Sequence, residues 1–278
     1  MDNLIGIYEK AISSKFSWLE KVLIAKQAGY DFIEMSIDES DERLSRLNYS
    51  NKERMTILKT IKDNNFEIRS MCLSAHRKYP FGSICEKTRN KAKEIIFEAI
   101  ILANDLGIKN IQLAGYDVYY EKSSDETLKY FLDGLKYATK LAERNNVMLS
   151  IEIMDTAFLG TIKRALKYVR LVNSPYLKIY PDVGNLSQWS NDPIEEIREG
   201  FHDIVAIHLK DTKKNTFRDL KFGEGDVDFK GIFKELKSLD YTGPYLVEMW
   251  FDKNREYTMF CAIDEIKKAR EYLLEQMG

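Results

Sequence analysis

Short runs of β-branched and aliphatic residues alternate along the chain with longer segments in which apolar residues return every three or four positions. These are the marks of buried strands and of helices with one apolar face. The first strand is expected at Leu4–Tyr8 and is followed by a helix from about Ser17, where Ser17 and Glu20 have the spacing of a capping box and Gly29 a stop. Further strands are expected at Asp31–Ser36, Phe66–Ser74, Lys109–Leu113, Val147–Ile153, Leu177–Tyr180, Ile204–Leu209 and Pro244–Met249. The helices between and after them are expected at Asn51–Asn64, Glu86–Leu106, Asp125–Arg144, Thr161–Val172, Pro193–Glu199, Phe229–Leu239 and Glu256–Glu275, with Gly107 closing the longest.

Eight strands and eight helices alternate at a spacing of about 30 residues. Parallel strands joined by helices close into a barrel at this number. A chain of 278 residues fits two ordinary domains or one such barrel. An open, doubly wound sheet is the alternative, but the first βα turn, Gly6-Ile7-Tyr8-Glu9-Lys10, has no glycine-rich dinucleotide fingerprint. With only five prolines and no low-complexity linker, residues 1–278 are read as a single (β/α)8 TIM barrel domain.

Charge narrows the partners. With 42 basic and 44 acidic side chains, both scattered, there is no field of one sign for a nucleic-acid backbone or an anionic membrane. The longest apolar stretch, Ala99–Ala103, is far shorter than a membrane span, and Met1-Asp2-Asn3 opens no leader sequence. A cytoplasmic protein is expected. Cys72, Cys85 and Cys261, odd in number and widely spaced, suit free thiols in a reducing compartment.

In a barrel of this kind chemistry sits at the C-terminal ends of the strands. Glu152, Asp182, His208 and Glu248 end four successive strands, each among apolar neighbours. Three carboxylates converging there would repel one another unless protons or a cation held them. One divalent metal ion removes the conflict, and this hard to borderline ligand set suits manganese, zinc, magnesium or cobalt. Alternatively, Glu152 and Glu248 pair with basic side chains in the mouth and His208 is a satisfied core histidine. Four such residues at four consecutive strand ends favour the metal.

Several phrases now carry a resemblance. Gly29-Tyr30-Asp31-Phe32-Ile33-Glu34, Ser150-Ile151-Glu152-Ile153, Asp182-Val183-Gly184-Asn185, His208-Leu209-Lys210-Asp211 and Phe222-Gly223-Glu224-Gly225 resemble the xylose-isomerase-like barrel superfamily. The stretches Glu34–Arg46 and Ser70–Ser83 are similar to the L-ribulose-5-phosphate 3-epimerases, sometimes labelled hexulose-6-phosphate isomerases, and the likeness covers nearly the whole chain. The resemblance implies a metal-dependent sugar-phosphate 3-epimerase that interconverts L-xylulose 5-phosphate and L-ribulose 5-phosphate in L-ascorbate and L-xylulose utilisation, with a homodimeric assembly. Chemistry agrees: inverting a carbon beside a ketone needs two bases and a Lewis acid that stabilises the enediolate. Glu152 and Glu248 are the expected acid/base pair, with Asp182 and His208 as ligands only.

Substrate contacts are expected from Glu34, His76, Asn185, Lys210 and Arg218. Glu34 and Asn185 follow from their places near strand ends; His76 lies at the end of strand three in a loop with Arg77 and Lys78, a place to meet a hydroxyl or a phosphate, with a solvated loop histidine as the alternative. A lysine two residues after His208, here Lys210, recurs in the resembling families, and Arg218 can hold a phosphate bidentately. Endonuclease IV-type repair enzymes share the superfamily but use several histidines, whereas this chain has three and carries Asn185 where theirs has one. An aldose–ketose isomerase and a free-ketose 3-epimerase would use the same metal site. Asn185 and Phe158 depart from the free-ketose enzymes, which have histidine and glutamate there. A non-catalytic sugar-phosphate sensor is the rival of another class, since fold alone does not establish activity.

Overall fold

The computed structural model describes residues 3–252 and 258–278. Its strands are β1 (Ile5–Tyr8), β2 (Phe32–Ile37), β3 (Glu67–Leu73), β4 (Asn110–Leu113), β5 (Met148–Glu152), β6 (Leu177–Tyr180), β7 (Ile207–Leu209) and β8 (Tyr245–Val247). They form one sheet of eight in the order β6-β5-β4-β3-β2-β1-β8-β7. Every ladder is parallel. Between β6 and β7 the sheet is closed by two parallel bridges, Ile179 to Ile204 and Asp182 to His208. His208 N donates to Pro181 O at 2.8 Å across that seam. The expected (β/α)8 barrel is the observed one.

The helices are α1 (Trp18–Gln27), α2 (Asp41–Leu44), α3 (Asn51–Asp63), α4 (Glu86–Leu106), α5 (Asp125–Arg144), α6 (Ile162–Val172), α7 (Val183–Trp189), α8 (Pro193–Gly200), α9 (Phe229–Ser238) and α10 (Met259–Met277). Their ends follow local chemistry. Ser17 accepts from Glu20 N while the Glu20 carboxylate accepts from Ser17 N at 2.7 Å, completing the capping box on α1. Gly107 takes a left-handed φ of 72° and stops α4. Two short helices were not expected from the sequence, α2 and α7. The expected start of the last helix at Glu256 lies outside the described residues.

Strand alternation divides the buried side chains into two sets. Ile33, Met35 and Ile37 face the helices in a continuous apolar layer. Phe32 and Tyr180 belong to a smaller cluster with Tyr8, Cys72, Ala206 and Leu246 that fills the barrel. Gly6 is required by that filling, because a Cβ there would come within 2.2 Å of the Phe32 ring. Above this plug the inward positions turn polar. Among the described residues no helix is long and apolar enough to cross a membrane.

One buried ion network anchors the loops at the mouth. Glu9, just past β1, accepts from Ser36 N at 2.9 Å and meets Lys21 of α1 at 2.6 Å, Arg46 at 2.6 Å and Arg43 of α2 at 3.0 Å. Burial alone would raise the Glu9 pKa, but Lys21, Arg46 and Arg43 outweigh it and hold the carboxyl far below its ordinary range. A group depressed in this way stabilises the fold fully above the ordinary glutamate pKa of about 4.3 and loses that contribution as pH falls toward the folded value. Glu9→Gln is expected to lower the unfolding free energy by about 3–5 kcal/mol at neutral pH, the cost of stripping one partner from a buried ion network. Urea denaturation at stepped pH should show the gap between wild type and variant narrowing below about pH 4. A gap constant with pH would mean that Glu9 acts through packing instead of charge.

Candidate active site

The four strand-end residues converge. Glu152 closes β5, Asp182 follows β6, His208 lies in β7 and Glu248 follows β8, and all four are buried. One potential ligand atom from each lies within 4.8 Å of all the others. Period-two alternation accounts for this: positions 152, 208 and 248 fall on the inward face above the apolar plug. Asp182 is fixed by a second duty. Its Oδ1 accepts from Asn185 N at 2.9 Å and so caps α7, which leaves Oδ2 for the cluster.

His208 is oriented from behind. Its Nε2 lies 2.9 Å from Glu34 Oε1, and a carboxylate facing an imidazole nitrogen accepts, so Nε2 carries hydrogen. The other Glu34 oxygen accepts from Ser70 Oγ at 2.6 Å and from the Tyr180 hydroxyl at 3.3 Å. Nδ1 is then turned toward Glu152 Oε1 at 3.3 Å and Glu248 Oε2 at 3.8 Å. A histidine backed by a carboxylate with its other nitrogen facing carboxylate oxygens is the usual arrangement of a metal-binding histidine.

Lys210 enters the same cluster, with Nζ 2.7 Å from Asp182 Oδ2 and 3.1 Å from Glu248 Oε2. Burial raises the pKa of Glu152, and it raises that of Asp182 to about 7. Burial acts on Glu248 in the same sense, but Lys210 and His208 outweigh it and hold Glu248 at about 2. Glu34 and Glu152 likewise push the His208 pKa well above its usual value, against its burial. Asp182 Oδ2 and Glu248 Oε2 are buried with the ammonium beside them but no hydrogen bond aimed at them. Three buried carboxylate oxygens and one imidazole nitrogen fit a hard or borderline divalent cation.

The other expected contacts divide. Glu34 holds His208, and Asn185 donates Nδ2 to Ile153 O at 3.0 Å while its Oδ1 is buried without a partner. Arg218 reaches the mouth, 3.7 Å from Asp155 Oδ2 and over the Trp250 ring. Lys210, expected beside a phosphate, is drawn instead into the carboxylates, because a fully buried ammonium goes to its counter-charges. His76 does not join the cluster: its Nε2 lies 3.2 Å from Ala92 O of α4, its ring packs on Phe81, and burial lowers its pKa to about 4. Reading it as a solvent-facing contact fails because the chain after β3 turns it back against α4.

Gln112 is a residue the sequence reading passed over. Its Nε2 is 3.3 Å from both His208 ring nitrogens, and its Oε1 is buried and unpartnered. The available signal was its polar side chain in the apolar run of β4, two positions after Asn110. Tyr8 also lines the site, with its hydroxyl 3.2 Å from Ser36 Oγ and its ring edge-on to Trp250.

The role of Glu34 is testable apart from catalysis. Glu34→Gln is expected to weaken manganese binding by about 10–100-fold, the usual effect of losing the carboxylate behind a ligand histidine. Calorimetric titration of manganese into both proteins measures it, and equal affinities would remove Glu34 from that role.

Comparison with known proteins places the chain. A family model described as xylose isomerase-like TIM barrel matches residues 22–275. The chain is 50% identical to the protein of Haemophilus influenzae named putative L-ribulose-5-phosphate 3-epimerase SgbU, over 98% of this chain and 96% of that protein. It is 45% identical to the Escherichia coli protein named L-ribulose-5-phosphate 3-epimerase UlaE, over 99% of this chain and 95% of that one. Its fold matches a D-psicose 3-epimerase crystallised in the presence of D-fructose with a TM-score of 0.83, over 99% of both chains, at only 17% identity. The chain therefore belongs to the xylose isomerase-like TIM barrel family and, with these relatives, to its epimerases, enzymes of the isomerase class.

Proposed function

We propose that this enzyme is a divalent-metal-dependent 3-epimerase that interconverts L-ribulose 5-phosphate and L-xylulose 5-phosphate through a cis-enediolate. What carries this reading is the convergence of Glu152, Asp182, His208 and Glu248 at one buried point, in a chain 45% and 50% identical to proteins named for that reaction. Glu152, Asp182, His208 and Glu248 would hold the cation. Bound there, a divalent ion supplies Lewis acidity toward the ketone and stabilises the negative charge that develops when the neighbouring carbon loses its proton.

The remaining work falls to side chains. Glu152 and Glu248 come from the two ends of the β5–β8 arc, so a ketose lying between them presents one face of C3 to each. One carboxylate removes the C3 proton and the other, protonated, delivers a proton to the opposite face, which inverts the carbon. The reverse reaction exchanges their roles. Glu34 keeps His208 in one tautomer, and Lys210 restrains Asp182 and Glu248 by charge. Asn185 Oδ1 and Gln112 Oε1, both buried acceptors without partners, are placed to receive substrate hydroxyls, and Arg218 meets the substrate at the mouth. Burial of the cluster excludes water that would otherwise intercept the intermediate.

The test is proton NMR of L-ribulose 5-phosphate in heavy water with the protein and manganese, beside a chelated sample. Loss of the C3 proton signal with growth of the xylulose epimer, only in the manganese sample, is the expected result. Exchange at C1 with growth of an aldose phosphate, and none at C3, would make the enzyme an aldose–ketose isomerase. Glu152→Gln and Glu248→Gln are each expected to abolish C3 exchange, and a variant that keeps near-normal turnover would lose its acid/base role.

A further inference from the structure

Several cations stand around the mouth of the barrel, and most have a carboxylate of their own. Lys10 meets Asp38 at 2.5 Å, Arg43 and Arg46 share Glu9, Lys210 lies between Asp182 and Glu248, and Arg218 is 3.7 Å from Asp155 Oδ2. Arg77 differs. It ends the short turn Ser74–Arg77 that follows β3, and among the described residues no ion pair engages it. Its Nε is buried with no hydrogen-bond partner.

The guanidinium is held by rings instead. It lies 5.7 Å from the centroid of Tyr116 and 5.0 Å from that of Tyr119, two residues beyond β4 whose rings meet edge to face at 4.8 Å. The Tyr116 hydroxyl donates to Asp155 Oδ1 at 2.7 Å, and Asp155 stands three residues past Glu152. The opposite Asp155 oxygen faces Arg218, whose guanidinium shares the Trp250 ring with Lys210. An arc of contacts thus joins Arg77 to the carboxylate cluster through side chains that all follow strand ends. Glu39 also bears on Arg77 by charge; its Oε1 accepts from the Tyr120 hydroxyl at 2.8 Å, and its Oε2 is buried with no hydrogen-bond partner.

Two considerations give this arrangement a ligand. A partly desolvated guanidinium with an unmatched N–H is unfavourable unless an acceptor meets it. The Tyr116 side chain also engages the guanidinium, but Nε remains without an acceptor, and a guanidinium edge matches two oxygens of a phosphate monoester. A pentulose 5-phosphate whose C3 lies at the β5–β8 cluster carries its phosphate two carbons away, so the phosphate must sit elsewhere on the rim. Lys210 is committed to the carboxylates and Arg218 has Asp155 beside it.

We propose that Arg77 receives the phosphate of the sugar-phosphate substrate, with Arg218 on the far side of Asp155 completing the pocket. The proposal rests on the sugar-phosphate reading given above and adds the residue that separates phosphorylated from free ketoses. Arg77→Gln is expected to raise KM for L-ribulose 5-phosphate by roughly 10- to 100-fold, the range for losing charged hydrogen bonds, with a smaller change in kcat. Arg77→Lys, which keeps the charge but not the fork, should fall between the two. It carries the same comparison if the glutamine variant does not fold, as judged by its melting curve. An unchanged KM in folded variants overturns the assignment. If the wild type leaves the ketose phosphate untouched, the function reading fails, and calorimetric titration of inorganic phosphate decides the site separately. Phosphate affinity lost in Arg77→Gln would support Arg77, and equal affinity, or none in either protein, would overturn it.

Discussion

Like charges brought together where water cannot reach set the terms for this molecule. Glu34, Glu152, Asp182 and Glu248 meet at the polar end of a closed barrel, with His208 and Lys210 as the cations among them. In such a place an uncompensated carboxylate takes up a proton or a cation. The push on Asp182 to about 7, by its burial, expresses that tension. With a divalent ion bound and His208 neutral, the ion and Lys210 together leave one of the four negative charges unmatched. That leaves room for one proton on the glutamate pair. Epimerisation by two carboxylates requires one of them protonated and the other not, so charge balance and proposed chemistry make the same demand.

The barrel concentrates this tension at its own weakest seam. Seven neighbouring strand pairs are joined by ladders, whereas β6 and β7 are joined only by bridges, one of them between Asp182 and His208. Both are candidate ligands. A cation held there would bind across the join as well as within the site, coupling closure of the sheet to the state of the active centre. Asp182 adds a further link, because the carboxylate that faces the cluster also caps α7. Geometry at the site is therefore set by backbone elements, which hold side chains more tightly than loops do.

Much of this was legible in the sequence because it depends on local rules. Alternation of apolar runs located the eight strands, and the Ser17–Glu20 pair and Gly107 marked helix ends through chemistry confined to a few residues. The four ligand candidates could be read as polar residues interrupting apolar strand ends. What escaped depends on distant partners. The helix α7 is seven residues long, and its cap is also a site residue, so it reads as loop. Glu34 was seen as a substrate contact because nothing local says that its acceptor faces His208, which lies 174 positions away. Lys210 sits in a basic stretch that looks solvated, yet it is buried against two carboxylates from other strands. That Arg77 Nε is left without an acceptor depends on how the whole mouth folds, so its loop alone does not single it out.

Specificity in this fold then separates from catalysis. A D-psicose 3-epimerase shares the barrel at 17% identity, so a common scaffold does not determine the sugar. In this chain Phe158, in the loop after β5, packs edge-on against Phe131 of α5 and Tyr168 of α6. In the loop after β3, two strands away, Arg77 places an unmatched donor beside two tyrosine rings. Phe158 and Arg77 both lie outside the four-ligand cluster. Changes in loops after β3, β4 and β5 can thus redirect the enzyme among ketoses while the strand-end carboxylates, fixed by the charge balance of the barrel, stay as they are.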